Sequence, residues 1–374
     1  MEPIRVLQVV TIMNRGGLET MLMNYYRQME HKKIQFDFLV HRSERGHYDD
    51  EIERLGGKIH RMPHIRPGNY RKYFRGLDKF FSENYHYKVV HSHINENSGF
   101  VLKAANRAGV PCRIAHSHLS DLGIDLKLPF RLYARLAMKN QPNRYFACSE
   151  KAGEWLFGKV ENIKVLNNAV NVKEFQYNEE LRKKVRRELQ VENNLVIGHI
   201  GRFNTQKNHE LLIDIFKKVN EKNPNSTLLL VGEGDLKIRM EEKVKKLGLS
   251  SAVKFLGVRE DISEIMQGMD VFLFPSLFEG LPVVLVEAQA AGLKCIVSDT
   301  ITSETDVTGQ LDFKSLKTSP EKWATAILNS SVRHRDNATD MREKGFDTVT
   351  MATWLTDYYI TEANGSQSKL EVTG

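Results

Sequence analysis

Two glutamates in one stretch give the clearest chemical signal in this chain. Glu279 and Glu287 belong to Pro275-Ser-Leu-Phe-Glu-Gly-Leu-Pro-Val-Val-Leu-Val-Glu-Ala-Gln-Ala-Ala-Gly292. The preceding run, Asp270-Val-Phe-Leu-Phe274, is short and apolar and reads as a buried strand. Pro275 ends it and Gly280 supplies a flexible turn. Pro282 suits the first turn of a helix, where its missing N–H is no loss. That helix runs from Val283 to Ala291, and Gly292 stops it. Free backbone N–H groups at such a start attract an anion. A carboxylate beside them, Glu279, is a poor phosphate ligand but a good acceptor for sugar hydroxyls. The stretch therefore suggests a phosphorylated carbohydrate. Glu287 stands among Val284, Leu285, Val286, Ala288, Ala290 and Ala291, so it is expected to be partly buried and in need of a partner.

Other groups compete for attention. His91-Ser-His93 and His116-Ser-His118 each end a strand-like run and could bring four imidazoles together. Convergent imidazoles are what a zinc site requires, so a metal-dependent hydrolase is one alternative. Gly16-Gly17 follows the first strand and opens the first helix, where a ligand can come close to the backbone. The full dinucleotide fingerprint of three spaced glycines is missing there.

Size sets the frame that must hold these groups. A chain of 374 residues exceeds what one core normally serves, so two domains are expected. Hydrophobic content of 41% is that of an ordinary globular chain. The formal charge of +7 favours an anionic partner. It is spread over both halves with no zinc-finger spacing and no RNP-like run, which argues against nucleic acid. Cys112, Cys148 and Cys295 lie far apart and suit free thiols in a reducing compartment. The N-terminus leads straight into a strand, without a signal-peptide pattern or an apolar spanning run. Cytoplasm is the simplest location, and the inner face of the plasma membrane stays open. The basic stretches Arg66 to Arg75 and Lys127 to Lys139 could touch an anionic membrane or could be solvated faces.

Strand and helix patterns alternate throughout. The first half reads as strands at Ile4–Val10, Phe36–His41, Lys58–Met62, Tyr87–His93, Arg113–His118, Arg144–Ser149 and Ile163–Asn167, with helices between them. Asn168 to Asn171 reads as a turn. The second half restarts with a charged helix at Glu179–Glu188. Strands follow at Leu195–Ile200, Ser226–Val231, Val253–Gly257 and Asp270–Phe274, with Cys295–Ser298 as the last. Helices near Pro320–Leu328 and Met341–Tyr359 close the chain. This pattern is α/β: two doubly wound Rossmann-like domains. The expected bounds are 1–172 and 173–345. A helix over 346–362 is expected to pack back on the first domain, ahead of a polar tail over 363–374. Gly17, His93, His118, Arg202, Gly232, Glu279 and Glu304 all fall at strand C-termini, where such sheets bind ligands.

An ordered set of motifs resembles a known family. Glu279 through Glu287, Gly201-Arg-Phe-Asn-Thr-Gln-Lys-Asn208, Gly232-Glu-Gly234 and Phe255-Leu-Gly-Val258 are together similar to the retaining glycosyltransferases of family 4, group 1. The likeness covers nearly the whole chain and points to bacterial exopolysaccharide or capsule-type members. It implies the GT-B architecture, two Rossmann-like domains facing across a cleft. It also implies a nucleotide-sugar donor, UDP-hexose or UDP-N-acetylhexosamine, with no metal and no other cofactor. Arg202 and Lys207 then resemble the basic pair on the donor diphosphate, and Glu279 the residue near the transferred sugar. The stretch Gly280, Leu281, Pro282 and Val283 would offer its backbone N–H groups, Pro282 itself having none, with Glu287 on the ribose, Val258 and Arg259 flanking the base, and Gly234 at a turn near the donor. Gly16 and Gly17 resemble the glycine loop that approaches donor phosphate and acceptor. His118 matches the histidine near the reacting sugar, and His116 competes with it, since period-two geometry puts both on one face. The segment after Ser298-Asp299 departs from the family pattern. It lacks the expected glycine-rich turn, and the role of Glu304 stays open.

The resemblance implies transfer of a sugar to a hydroxyl of a glycan, a lipid-linked glycan or a small molecule, with net retention. A non-catalytic sugar-nucleotide-binding subunit and a sugar-nucleotide epimerase of the same architecture are the alternatives. Nothing in the sequence chooses the donor base, the acceptor or the oligomeric state.

Overall fold

The computed structural model describes residues 2–66, 68–118, 128–279, 281–330 and 335–365. The chain divides into two compact units. The first comprises Met1–Ala169 with Thr348–Gly374, and the second Val170–Asp347.

Seven parallel strands are seen in the first unit: β1 (Ile4–Val10), β2 (Ile34–Val40), β3 (Ile59–Arg61), β4 (Val89–Ser92), β5 (Cys112–Ser117), β6 (Arg144–Ala147) and β7 (Ile163–Val165). They lie in the order β3-β2-β1-β4-β5-β6-β7. The register between the two longest runs from Ile4 opposite Ile34 to Val10 opposite Val40. β2 is buried along its whole length, which is why Ile34-Gln-Phe-Asp-Phe-Leu-Val40 is almost continuously apolar rather than alternating. Asp37, its one charged residue, is neutralised by Arg5 at 2.7 Å and accepts from Tyr87 at 2.7 Å. The strand order reverses between β1 and β4, the switch point where open α/β sheets form a crevice.

The helix Thr348–Ala363 belongs to this first unit. It buries Tyr358 and Tyr359 completely in the core formed by β1, β2 and the helix Gly17–Gln28. Arg144 anchors it through Glu362 at 2.8 Å. The sequence pattern predicts one helix from Met341 to Tyr359, and the structure corrects this. Two helices, Ala338–Glu343 and Thr348–Ala363, flank Gly345, whose φ of 72° lies in the left-handed region. Phe346 N–H then closes onto the Met341 carbonyl at 2.7 Å and ends the first helix.

Six parallel strands are seen in the second unit: β8 (Leu195–Ile200), β9 (Ser226–Val231), β10 (Val253–Gly257), β11 (Val271–Phe274), β12 (Lys294–Ser298) and β13 (Leu311–Lys314), in the order β10-β9-β8-β11-β12-β13. Cys295–Ser298 is therefore not the last strand. β13 pairs with it at the sheet edge, Leu311 opposite Cys295. Only Leu311 of its four residues is buried, so its apolar signal is weak. Asn168 to Asn171 is more than a turn: Val170 bridges Asp347, and a short helix starts at Val172. The switch point of this sheet lies between β8 and β11.

Candidate active site

The second unit builds its site at that switch point. β8 and β11 are neighbours, so the loops that leave them emerge side by side. Three hydrogen bonds to backbone carbonyls join the loops: Leu277 N–H to Gln206 at 2.8 Å, Gln206 Nε2 to Phe278 at 3.0 Å, and Asn208 Nδ2 to Pro275 at 3.1 Å. Asn208 takes a left-handed φ of 54° to start the helix His209–Lys222.

Lys207 folds back across this junction. Its stem lies over Gly201, where a Cβ would meet Lys207 Cδ and Cε at 3.2 Å. Its Nζ stands 2.7 Å from Glu279 Oε1 and 4.5 Å from the centre of the Phe274 ring. The two side chains are only 15% and 9% exposed, so this pair is largely withdrawn from water. Arg202 behaves oppositely. Its side chain is 69% exposed and reaches Asp235 only at 3.9 Å, which leaves its charge available to a ligand. Gly232 has φ 136°, and a Cβ there would stand 2.2 Å from the Gly201 carbonyl oxygen. Gly234 lies nearly as tight on Phe203, 2.5 Å from its carbonyl oxygen by the same construction.

The helix Val283–Ala290 begins beside this pair. Pro282 is its cap, at φ −73°, rather than a residue of its first turn. Leu281, Pro282 and Val283 are buried, and Gly280 lies outside the described residues. Glu287 is half-buried, and while its carbonyl accepts from the Ala291 N–H at 2.9 Å, its carboxylate accepts no hydrogen bond among the described residues. Desolvation, with the Glu174 carboxylate adding to it, pushes its carboxyl up to about 7. Gln289, two residues further along the helix, ties down the segment that lacks the family's glycine-rich turn. Its Oε1 accepts from the N–H groups of Val307 and Thr308 at 2.9 and 3.1 Å, and its Nε2 donates to the Thr305 carbonyl at 2.8 Å. Glu304 is exposed on that segment, in a single 3-10 turn started by Thr302. Val258 is 56% exposed, and Arg259 is held by Asp261 at 2.8 Å.

In the first unit, the four imidazoles do come together. His91 Nε2 shares a hydrogen bond with His116 Nδ1 at 3.1 Å, and His93 Nδ1 with His118 Nε2 at 3.0 Å. Tyr359 Oη closes the first pair at 2.7 Å from His91 Nδ1, and Gln8 Oε1 closes the second at 2.8 Å from His93 Nε2. Burial keeps all four neutral, and His118 is lowered to about 3. His116 is fully buried, whereas His118 retains some exposure at the strand end. One ligand atom from each of His91, His93 and His116 falls within 4.8 Å of the others. A catalytic metal needs an open coordination position. These three side chains are at most 2% exposed and already engage each other, which does not fit such a site.

Gly16 caps the helix Gly17–Gln28 and Gly17 opens it. A Cβ on Gly17 would meet nothing within 4 Å, whereas one on Gly16 would collide with Glu19 Oε2. The motif Gly201 to Asn208 contains Gly201, Gln206 and Asn208 without assigning them a role, and Phe274 reads only as the end of a strand. Among them, only the glycine before Arg202 and the asparagine before a helix carry a local signal. Phe274 and Gln206 matter because of what lies next to them in space.

Comparison with known proteins places this geometry. The family described as Glycosyl transferases group 1 matches residues 181–345, and Glycosyltransferase Family 4 matches residues 15–174. The chain is 39% identical over 350 residues to "Putative glycosyltransferase EpsF" of Bacillus subtilis (strain 168), with 91% of each chain covered. It is 30% identical over 232 residues to the UDP-Gal:alpha-D-GlcNAc-diphosphoundecaprenol alpha-1,3-galactosyltransferase of Escherichia coli, covering 57% of this chain and 58% of that one. The crystal structure of Anabaena HepE in complex with UDP and glucose shares the fold. Its TM-score is 0.75 at 18% identity, over 95% of this chain and 99% of that one. The two parallel α/β units therefore have the GT-B architecture.

Proposed function

The chain belongs to the group 1, family 4 glycosyltransferases, and from that premise we propose that it moves a hexose or N-acetylhexosamine from a UDP-sugar to a hydroxyl of a glycan or lipid-linked glycan, with retention and without a metal. The observation that carries this reading is the Lys207–Glu279 pair at 2.7 Å beside the start of the helix Val283–Ala290. It sets an ammonium and a carboxylate beside a helix N-terminus, whose first N–H groups, from Val283 on, point out of the helix. A sugar diphosphate offers the matching pattern of hydroxyls and negative charge.

In this reading Lys207, Arg202 and the helix start stabilise the diphosphate as negative charge grows on it. Glu279 orients the Lys207 ammonium and accepts from a hydroxyl of the transferred sugar. Glu287 meets the ribose hydroxyls. Gly234 keeps the turn after β9 open for the donor, and Val258 and Arg259 flank the base. The acceptor oxygen attacks the anomeric carbon on the face the diphosphate leaves. The bond from that carbon to the phosphate oxygen breaks, and the acceptor proton passes to that oxygen. Gly16, Gly17 and His118 serve the sugar and acceptor. His118 is favoured over His116 because it keeps an exposed edge. A neutral imidazole at that position accepts or donates one hydrogen bond without adding charge.

A surface role goes with it. No helix among the described residues is long and apolar enough to cross a membrane. The helix Leu128–Met138 leaves Leu132, Tyr133 and Leu136 exposed, the last at 74%. Its basic residues Arg131 and Arg135 turn to Glu96 and Trp155. An outward apolar ridge of this kind suits the interface of a membrane carrying a lipid-linked acceptor.

A thermal-shift screen with UDP, other nucleoside diphosphates and their sugars tests the donor. Transfer products read by NMR then give the anomeric configuration, and chelator-treated protein tests metal independence. Stabilisation by no sugar nucleotide at all would sink the reading. Formation of an epimer from donor alone would replace it.

A further inference from the structure

We infer that a cavity inside the first unit recognises an anionic acceptor, a sugar that carries a phosphate or diphosphate ester. The inference rests on the glycosyl-transfer reading above and names its acceptor class. The cavity measures about 500 Å³, enough for a phosphorylated monosaccharide. Residues that follow β1, β2, β3 and β4 line it, among them Thr11, Arg42, Arg66 and Glu96. It therefore lies at the switch point of that sheet, where this class of fold binds ligands.

Its chemistry is divided. Three guanidinium groups, those of Arg42, Arg66 and Arg131, face it against one carboxylate, Glu96. Arg42 gives one N–H to the carbonyl of His41 at 3.1 Å and reaches Glu44 only at 3.9 Å. Asn69 Oδ1 accepts from the Arg66 backbone N–H at 2.9 Å, and the Arg66 guanidinium has no partner among the described residues. Two guanidinium groups are thus left with donors to give, and planar guanidinium groups match phosphate oxygens. Acceptors lie deeper. Glu96 is 8% exposed and touches Arg131 at 3.8 Å. Asn97 Oδ1 is buried and has no hydrogen-bond partner. A buried acceptor without a donor is costly unless a ligand supplies one. Sugar hydroxyls are such donors. The stacked rings of Tyr70 and Phe130, 6.2 Å apart and 21° from parallel, complete the wall with apolar area for sugar C–H groups. His41 contributes no free nitrogen, since Val10 and Tyr73 occupy both. A neutral glycan would use the floor and leave the arginines without a counterpart, and a bare anion would do the reverse.

The test uses the full-length protein and calorimetric titration with glucose 1-phosphate, glucose, inorganic phosphate and UDP. The expected result is glucose 1-phosphate binding at least tenfold tighter than glucose or inorganic phosphate. The variant Arg42→Ala/Arg66→Ala should lose at least tenfold of that affinity while its melting temperature and UDP affinity stay at the wild-type values. Asn97→Ala should weaken glucose 1-phosphate but not inorganic phosphate. Equal affinity for inorganic phosphate, undiminished binding in the double variant, or displacement of glucose 1-phosphate by UDP would each overturn the inference. Phosphatidylcholine vesicles carrying a polyprenyl diphosphate sugar separate the two sources. Competition with glucose 1-phosphate assigns the site to a lipid headgroup, and its absence assigns it to a soluble ester. UDP binding with no glucose 1-phosphate binding removes this inference alone. Glucose 1-phosphate binding with no sugar-nucleotide binding removes the transfer reading instead.

Discussion

Lys207 and Glu279 are brought within 2.7 Å by adjacent strands, although they come from loops far apart in the chain. The pair is mostly shielded from water, with the Phe274 ring behind the ammonium. Removing either charge leaves the other buried and unpaired, which is costlier than losing an exposed pair. Lys207→Ala is expected to weaken UDP binding about tenfold, roughly 1.4 kcal/mol, and to lower stability by roughly 1–3 kcal/mol. Uridine, which has no diphosphate, should lose much less. Titration calorimetry with both ligands checks this, and equal losses would place Lys207 away from the diphosphate.

If Glu287 meets the ribose as proposed, donor binding depends on pH. Its folded carboxyl sits at about 7, above its ordinary value, because burial and Glu174 disfavour the charge. The folded state therefore binds the proton more tightly than the unfolded state. This group favours folding at low pH and loses that contribution as pH rises from the usual carboxylate range through about 7. Glu287→Gln should raise the melting temperature at pH 8 and leave it nearly unchanged at pH 5. Wild-type donor affinity should rise across pH 6 to 8 as the ribose-facing carboxylate forms. A flat profile in both measurements would remove Glu287 from the ribose.

The four imidazoles of the first unit give the opposite sign. Burial lowers His91, His93, His116 and His118, so their unfolded forms bind protons that the folded forms refuse. Their contribution is complete above the ordinary histidine value and falls as pH drops below it. The urea midpoint should fall steeply between pH 7 and pH 5. His118→Asn removes one of these protons and should make that fall shallower, by up to about 1.4 kcal/mol per pH unit. Tyr359→Phe, which takes away the oxygen at His91 Nδ1, should destabilise the unit at every pH.

Glycines separate a structural from a ligand-binding requirement. Gly232→Ala places a methyl 2.2 Å from the Gly201 carbonyl oxygen at a left-handed φ, so it should destabilise the protein by about 1–3 kcal/mol. Gly17→Ala meets nothing within 4 Å and should fold with an unchanged melting temperature. A loss of transfer in Gly17→Ala would then report a ligand that needs the space. Wild-type kinetics would show that the loop serves only the helix start.

The apolar ridge of the helix Leu128–Met138 can be tested against the charge reading of the same segment. Leu132→Ser/Leu136→Ser should reduce sedimentation with acidic liposomes several-fold at moderate salt. Neutralising Lys127, Arg131, Arg135 and Lys139 should change it less, because Arg131 and Arg135 are engaged within the protein. Lys127 lies outside the described residues. The reverse ranking would make the attachment electrostatic.

Periodicity alone determined much of this protein. Apolar strands such as Val271-Phe-Leu-Phe274 are buried on both faces, so their composition announces them wherever they fold. Alternation with helices of regular spacing then requires doubly wound sheets, and the residues at strand ends, Arg202, Glu279 and His118 among them, follow from that. The edge strand Leu311–Lys314 was not legible, because three of its four residues are only partly buried. The break at Gly345 was not legible either, because the flanking residues are helical on both sides. Strand order is what the chain does not spell out. It put β8 beside β11, and so Lys207 against Glu279 and Phe274. It also put β1 beside β4, and so Arg42 and Arg66 near Glu96 and Asn97. Local sequence fixes the period of burial, since that depends on neighbours three or four residues away. Which loops meet depends on long-range pairing of strands, and those contacts exist only once the sheet has closed.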